Sequence, residues 1–253
     1  MRSKPNIGAE VAEPDPSAEL KAENARLIAL LEANGIQWRV ETKHVPAASM
    51  PEPSRLSTGE KVALFRRLFR GRTDVYPIRW ESKTTAKSGY SPACANEWRA
   101  GVCKKPRIKC GDCSNRSLIP LSDAVIYEHL SGESTIGIYP LLEDDTCYFV
   151  AIDFDEAEWR EDARAFVQSC SELGVPVALE ISRSGNGAHA WVFFAGRVSA
   201  RDAHRLGTAI ISHTCSRTRQ LNLESYDRLF PNQDTMPKGG FGNLIALPLQ
   251  KKP

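Results

Sequence analysis

Cys147 to Phe154 reads CYFVAIDF, the most apolar run in the chain, and it closes on Asp153-Phe154-Asp155. A run this apolar and this short, bounded by charge, is a strand buried on both faces. Glu158 to Leu173 follows with helical periodicity through Trp159, Ala163, Phe166, Val167 and Cys170, and Gly174 stops it. Pro176 to Ser182 (PVALEIS) predicts a second strand and His189 to Phe194 (HAWVFF) a third, with a glycine-containing turn between them. Residues 199–219 predict a second helix, and short strand patterns come near Leu223 to Tyr226 and Asn243 to Leu249.

The resulting order, β-α-β-β-α-β, is the split βαβ arrangement of ferredoxin-like and RNA-recognition-motif folds. The expectation is therefore an α+β protein with an RRM-like catalytic core over 146–253. Upstream, residues 57–145 predict an α-rich, basic module. There Ser57-Thr58-Gly59-Glu60 fits a capping box, and Val62, Phe65, Leu68 and Phe69 make the apolar face of a helix over 58–70. Residues 1–17, with three prolines and almost no large apolar side chain, predict a disordered leader. Leu20, Asn24, Leu27 and Leu31 then space a short coiled-coil-like helix over 18–35, which either self-associates or docks on its own chain. Residues 36–56 read as a proline-marked linker.

In a chain of 253 residues, 33 basic and 31 acidic side chains leave a net charge of +2, which by itself argues against a dedicated nucleic-acid binder. The distribution argues otherwise. Lys61 to Arg116 carries fourteen Lys and Arg against four acids, an excess of ten, and leaves the remainder at −8. Trp80, Tyr90 and Trp98 lie among these cations, and rings so placed stack on unpaired bases while the cations neutralise phosphates. The plainer alternative is that the cations solubilise a small module. The chain holds no run of about 18 apolar residues and starts with no apolar leader of signal-peptide length, so a cytoplasmic protein is expected.

Seven cysteines in a reducing compartment serve metal, catalysis or packing. Cys94, Cys103, Cys110 and Cys113 are spaced C-x8-C-x6-C-x2-C in a polar stretch, a set that can close a structural zinc knuckle over 94–113. Cys147, Cys170 and Cys215 lie in apolar patterns and are expected in the core. Asp153 and Asp155, two apart on a strand, face one side, and two carboxylates that close are suited to Mg²⁺ or Mn²⁺. The alternative reading has Asp155 cap the next helix with Glu158, which leaves Asp153 unexplained. Ser184-Gly185-Asn186-Gly187-Ala188-His189 can turn backbone N–H groups, a hydroxyl and an imidazole toward an anion, or can be a hairpin turn before a packed histidine. In the split βαβ sheet the first and third strands are neighbours, which sets His189 beside Asp153. Asp227 after a short strand and Asp234 in a Pro/Asn loop are rival third acids, Asp227 being preferred.

Taken together, D-F-D at 153–155, S-G-N-G-A-H at 184–189 and the Tyr226-Asp227 pair resemble the three motifs of the archaeo-eukaryotic primase superfamily. Gly89 to Trp98, Ile136 to Leu141 and Tyr226 to Gln250 look like the primase domain of TOTE conflict systems and of CRISPR-associated primase-polymerases. The resemblance implies a template-directed nucleotidyltransferase that joins NTPs or dNTPs on single-stranded or primed DNA. Carried over by motif, Asp153, Asp155 and Asp227 hold two catalytic Mg²⁺ or Mn²⁺ ions. Ser184, Gly185, Gly187 and His189 hold the triphosphate, and Arg228 and Lys238-Gly239-Gly240 touch phosphate or template. Relatives are often joined to helicase or nuclease modules, whereas this chain stops at Gln250-Lys251-Lys252-Pro253, so the core reads as truncated or naturally short. A metal-dependent nuclease and a non-catalytic single-stranded DNA-binding module are the rival functions.

Overall fold

A computed structural model describes residues 16–35, 55–155, 158–217 and 226–251, with residues 16–21, 226 and 227 described by backbone alone. Residues 1–15 of the leader expected over 1–17 and most of the expected linker lie outside the described residues, as does Leu223, whereas Pro16 and Ser17 already belong to the first helix, a correction to the expected leader. The chain forms two compact units, residues 1–55 and residues 56–253. In the first, helix α1 (Pro16–Ala33) leaves Leu27 and Leu30 exposed, and Gly35 follows it at φ +65°.

The second unit opens with α2 (Thr58–Leu68). Ser57 Oγ accepts the Glu60 N–H while the Glu60 carboxylate accepts the Ser57 N–H, the reciprocal cap that the sequence spells out. A hairpin of β1 (Pro77–Glu81) and β2 (Ser88–Pro92) comes next, then a 3₁₀ turn at Cys110–Asp112 and helix α3 (Asp123–Ser131), capped by Ser122 and closed by Gly132 at φ +86°. The remaining elements are β3 (Gly137–Ile138), β4 (Thr146–Asp155), α4 (Trp159–Glu172), β5 (Ala178–Ile181), β6 (Gly187–Ser199), α5 (Ala200–Arg217), β7 (Tyr226–Phe230) and β8 (Ile245–Ala246). The chain is α+β. Residues 57–145 hold the hairpin and β3 as well as two helices.

The main sheet is antiparallel with strand order β5-β6-β4-β7, so the most apolar strand is central and is covered on both faces. On one face Val150, Ile152 and Phe154 of β4 and Ala188, Ala190 and Val192 of β6 pack on Trp159 and Phe166 of α4 and Ile210 of α5. Gly207 lets α5 approach closely, since a Cβ there would lie 2.7 Å from the Leu229 side chain. On the other face, Phe149, Ala151, Trp191 and Phe230 pack on Phe65 of α2, on Phe69 at its C-cap and on Ile126 of α3. Strand β3 pairs with β8 from the far end of the sequence, and Ile136, Ile138 and Ile245 join the same cluster. The second cluster therefore mixes residues from 57–145 with residues from the strands after 146.

His129 of α3 is fully buried, with Nε2 donating to Pro248 O at 3.0 Å and Nδ1 accepting the Ile136 N–H at 3.4 Å. Burial holds its pKa below the ordinary 6.5, with backbone carbonyls offsetting part of the shift. A histidine whose folded pKa is depressed stays neutral while the unfolded chain takes up a proton, so stability falls as pH drops below about 6.5. The expected slope is up to about 1.4 kcal/mol per pH unit. Urea unfolding at pH 7 and at pH 5.5 checks this: His129→Gln should be less stable at pH 7 yet lose less on acidification than the wild type.

Candidate active site

Alternation along β4 places Phe149, Ala151, Asp153 and Asp155 on the face away from α4 and α5. The aromatic half of this face is covered by α2 and α3, and the carboxylates continue it toward the end of the strand. Asp153 lies directly across from His189, and Asp155 across from Gly187. His189 in turn lies across from Glu180 of β5. Its Nδ1 stands 2.7 Å from Glu180 Oε2 and its Nε2 3.4 Å from Asp153 Oδ1. Burial opposes a charge on this ring, but the hydrogen bonds to Asp153 and Glu180 outweigh it and push the pKa up to about 9. His189 is thus an imidazolium at neutral pH, held between two carboxylates. Trp191 packs edge-on against it, ring centroids 5.9 Å apart, and donates from Nε1 to the same Glu180 oxygen at 3.5 Å.

Glu180 was not among the residues the motifs single out. Its signal was a lone acid inside the apolar strand PVALEIS, and nothing in linear order says that this acid meets His189.

The turn from Ser182 to Asn186 is stitched internally. Gly185, at φ +75°, donates its N–H to Ser182 O at 2.9 Å, and Ser184 Oγ accepts the Asn186 N–H at 3.2 Å and lies 3.1 Å from Ser182 Oγ. Two of the N–H groups expected to cradle an anion are therefore spent within the turn, and Ser184 sits exposed at its tip. Gly187 has a different reason. A Cβ there would fall 2.6 Å from Phe154 O and 2.4 Å from Asp155 Oδ1, so only glycine lets the carboxylate lie against β6. Gly187→Ala should cost about 1–3 kcal/mol of stability and displace Asp155. Thermal unfolding checks the first effect, and a drop of at least about tenfold in catalytic rate at saturating substrate checks the second.

Asp155 does not cap α4. The N-cap position belongs to Glu158, which makes no side-chain cap. Across β4 from the other side, a register shift in β7 sets Arg228 opposite Asp153 and Tyr226 opposite Phe154. The backbone of Asp227 falls between them, beside the acids, and Arg228 is exposed. Asp234 lies elsewhere, 3.2 Å from His204 and 3.8 Å from Arg201 of α5. The carbonyls of Gly239 and Gly240 accept from Arg116 (3.0 Å) and Arg72 (3.4 Å), while Lys238 is exposed.

Cys94, Cys103, Cys110 and Cys113 line one pocket with Glu97 and Lys105. The Ser117 N–H donates to Cys94 Sγ at 3.4 Å, and the Cys113 N–H closes the 3₁₀ turn on Cys110 O at 3.4 Å. Among the described residues, no three metal-binding side chains stand in ligating arrangement. Cys147 and Cys170 are buried as expected, which pushes their thiols up to about 12 and about 11. Cys215 is exposed, a correction to the core expectation: it sits in the last turn of α5, on the helix's outward side. Trp98 is 70% exposed, with Lys105 Nζ 5.6 Å from its ring, and Trp80 is 45% exposed.

A family model for the archaeo-eukaryotic primase domain of TOTE conflict systems matches residues 60–253. The chain belongs to this family. No curated protein matches it. Archaeo-eukaryotic primase domains are nucleotidyltransferases that work with divalent metals on nucleotide and DNA substrates. The match starts inside α2 and takes in both the basic cysteine segment and the acid-bearing sheet. No described helix of this primase-family chain is long and apolar enough to cross a membrane.

Proposed function

We propose that the chain is a template-directed DNA primase-polymerase, joining NTPs or dNTPs on a single-stranded or primed template at the acid face of an RRM-like sheet. The observation that supports it most is the clustering of Asp153, Asp155 and the imidazolium of His189 on one face of adjacent strands, with β7 delivering Asp227 alongside. Strand order β5-β6-β4-β7, with α4 and α5 on one face, supports the RRM-like description.

The donor set suits hard divalent cations: carboxylate oxygens only, two of them on neighbouring same-face positions. Asp153, Asp155 and Asp227 would hold two Mg²⁺ or Mn²⁺ ions, which when bound activate a 3′ hydroxyl and stabilise the leaving pyrophosphate. The protein's own contribution is placement and charge. His189 keeps Nδ1 on Glu180 and would offer a phosphate oxygen its Nε2–H, which stands 3.4 Å from Asp153. Gly187 keeps Asp155 seated, and Ser184 and Gly185 bring the turn to the same end of the sheet, while Arg228 adds a cation from β7. Such preorganised charge lowers the barrier of an in-line displacement without covalent chemistry by the enzyme.

The four cysteines of the basic segment suit a structural zinc, since thiolates filling all four positions leave no site for water. The exposed Trp98 and Trp80, with the surrounding cations, suit a single-stranded template.

The deciding experiment is an extension assay with labelled NTPs or dNTPs, Mg²⁺ or Mn²⁺, with and without a primer. Template-dependent product growth is expected. Strand cleavage without nucleotide dependence would replace this reading with a nuclease, and metal-indifferent binding with no product would replace it with a binding module.

A further inference from the structure

At the opposite end of β4 from the acids, a groove opens that is lined by Arg66, Arg67, Arg70, Thr73, Leu142 and Tyr148. Tyr148 and Asp153 are five residue steps apart on the strand, about 17 Å at about 3.4 Å per step, so the groove is a place apart from the acid face. The Arg70 guanidinium lies over the Tyr148 ring, 3.9 Å from its centroid. Its Nη2 reaches Phe194 O only at 3.4 Å, and its Nε is buried with no hydrogen-bond partner. Arg66 and Arg67 lie in the last turn of α2, Arg67 is exposed, and Arg70 follows just past the helix end. Asp123 is the only acid lining the groove, and Arg66 already pairs with it.

Three guanidiniums lining one groove, one of them paired with Asp123 and one set on an aromatic ring, match the extended negative charge of a phosphodiester backbone better than a single small anion. We propose that this groove is a second contact for the DNA strand, gripping its backbone at a point remote from the acids. The identity of the polyanion rests on the nucleotidyltransferase reading; the groove's affinity for it does not depend on catalysis. Only a strand long enough to span about 17 Å engages both places.

The test uses the full chain, Arg67→Ala/Arg70→Ala, and the surface variant Arg67→Glu, which leaves the Arg70–Tyr148 stack intact. Fluorescence anisotropy without nucleotide, on a labelled single strand of roughly 20 nucleotides, should show binding weakened about tenfold in the double variant, with a log–log salt slope shallower by about 1.4. Arg67→Glu should weaken it in the same direction. In extension assays KM for that template should rise with kcat unchanged. Wild-type affinity and salt slope in both variants would overturn the groove and leave the enzyme reading standing. Loss of strand binding in the variants of a protein that synthesises nothing would support the groove and overturn the enzyme reading.

Discussion

Asp153→Asn should reduce nucleotide incorporation by at least about a thousandfold, equivalent to about 4 kcal/mol of barrier. The substitution is isosteric, so shape is retained and a metal-binding charge is lost. His189 loses one of two carboxylate partners but keeps Glu180 at 2.7 Å, so the ring stays in place and the fold survives. Asp155→Asn should behave alike, because its carboxylate shares the face and lies against Gly187. The measurement is template-directed extension at saturating Mn²⁺ or Mg²⁺, beside thermal unfolding and DNA binding on the same preparations. Loss of synthesis with folding and binding intact is the expected pattern. Synthesis at wild-type rate in either variant would remove the acid pair from the chemistry.

On the proposed zinc assignment, Cys110→Ser with Cys113→Ser should bring bound zinc from about one per chain to near zero and unfold the surrounding segment. Structural zinc sites contribute on the order of 10 kcal/mol of apparent binding energy to the segments they close, far more than the few short elements between β2 and α3 can replace. The damage should reach beyond the knuckle. Arg116 donates both to Gly111 O, inside the Cys110–Cys113 pair, and to Gly239 O in the loop that follows β7, at 3.1 and 3.0 Å. Arg116 and Arg72 also flank the Phe241 ring, which stacks on Tyr139. Opening the knuckle therefore frees the loop that follows the Asp227-bearing strand. Elemental analysis gives the zinc content, and limited proteolysis with a melting curve gives the structural effect. A purified wild type that is folded, active and free of zinc would end the zinc assignment.

The two effects differ in how far they could be foreseen from linear order. The acid pair was visible because strand alternation is a local rule: residues two apart share a face whatever the strand packs against. The capping box at Ser57 and Glu60 is equally local, as is the clustering of Cys110 with Cys113. Glu180 was invisible for the opposite reason. Its partner lies nine positions along the chain, and their meeting depends on the β5–β6 register, which pairs residue 180 with 189 and then 189 with 153. Gly187 was noticed as part of an anion-cradling turn. The structure gives it another role, since what crowds its missing Cβ is the carboxylate of Asp155 from a different strand. Cys215 was misplaced because periodicity alone does not say which side of α5 the sheet covers.

By sequence alone this protein is an α+β chain with an acid-tipped central strand, a basic cysteine-bearing segment and the motif order of a primase domain, because caps, periodicity and short motifs are set by neighbours in the chain. Only the tertiary structure decides that His189 is clamped as a cation between Asp153 and Glu180, that β3 closes on β8, and that Arg70 settles on Tyr148. Each of these joins residues that linear order keeps apart, and their contact comes from strand register and helix packing, which are properties of the whole fold.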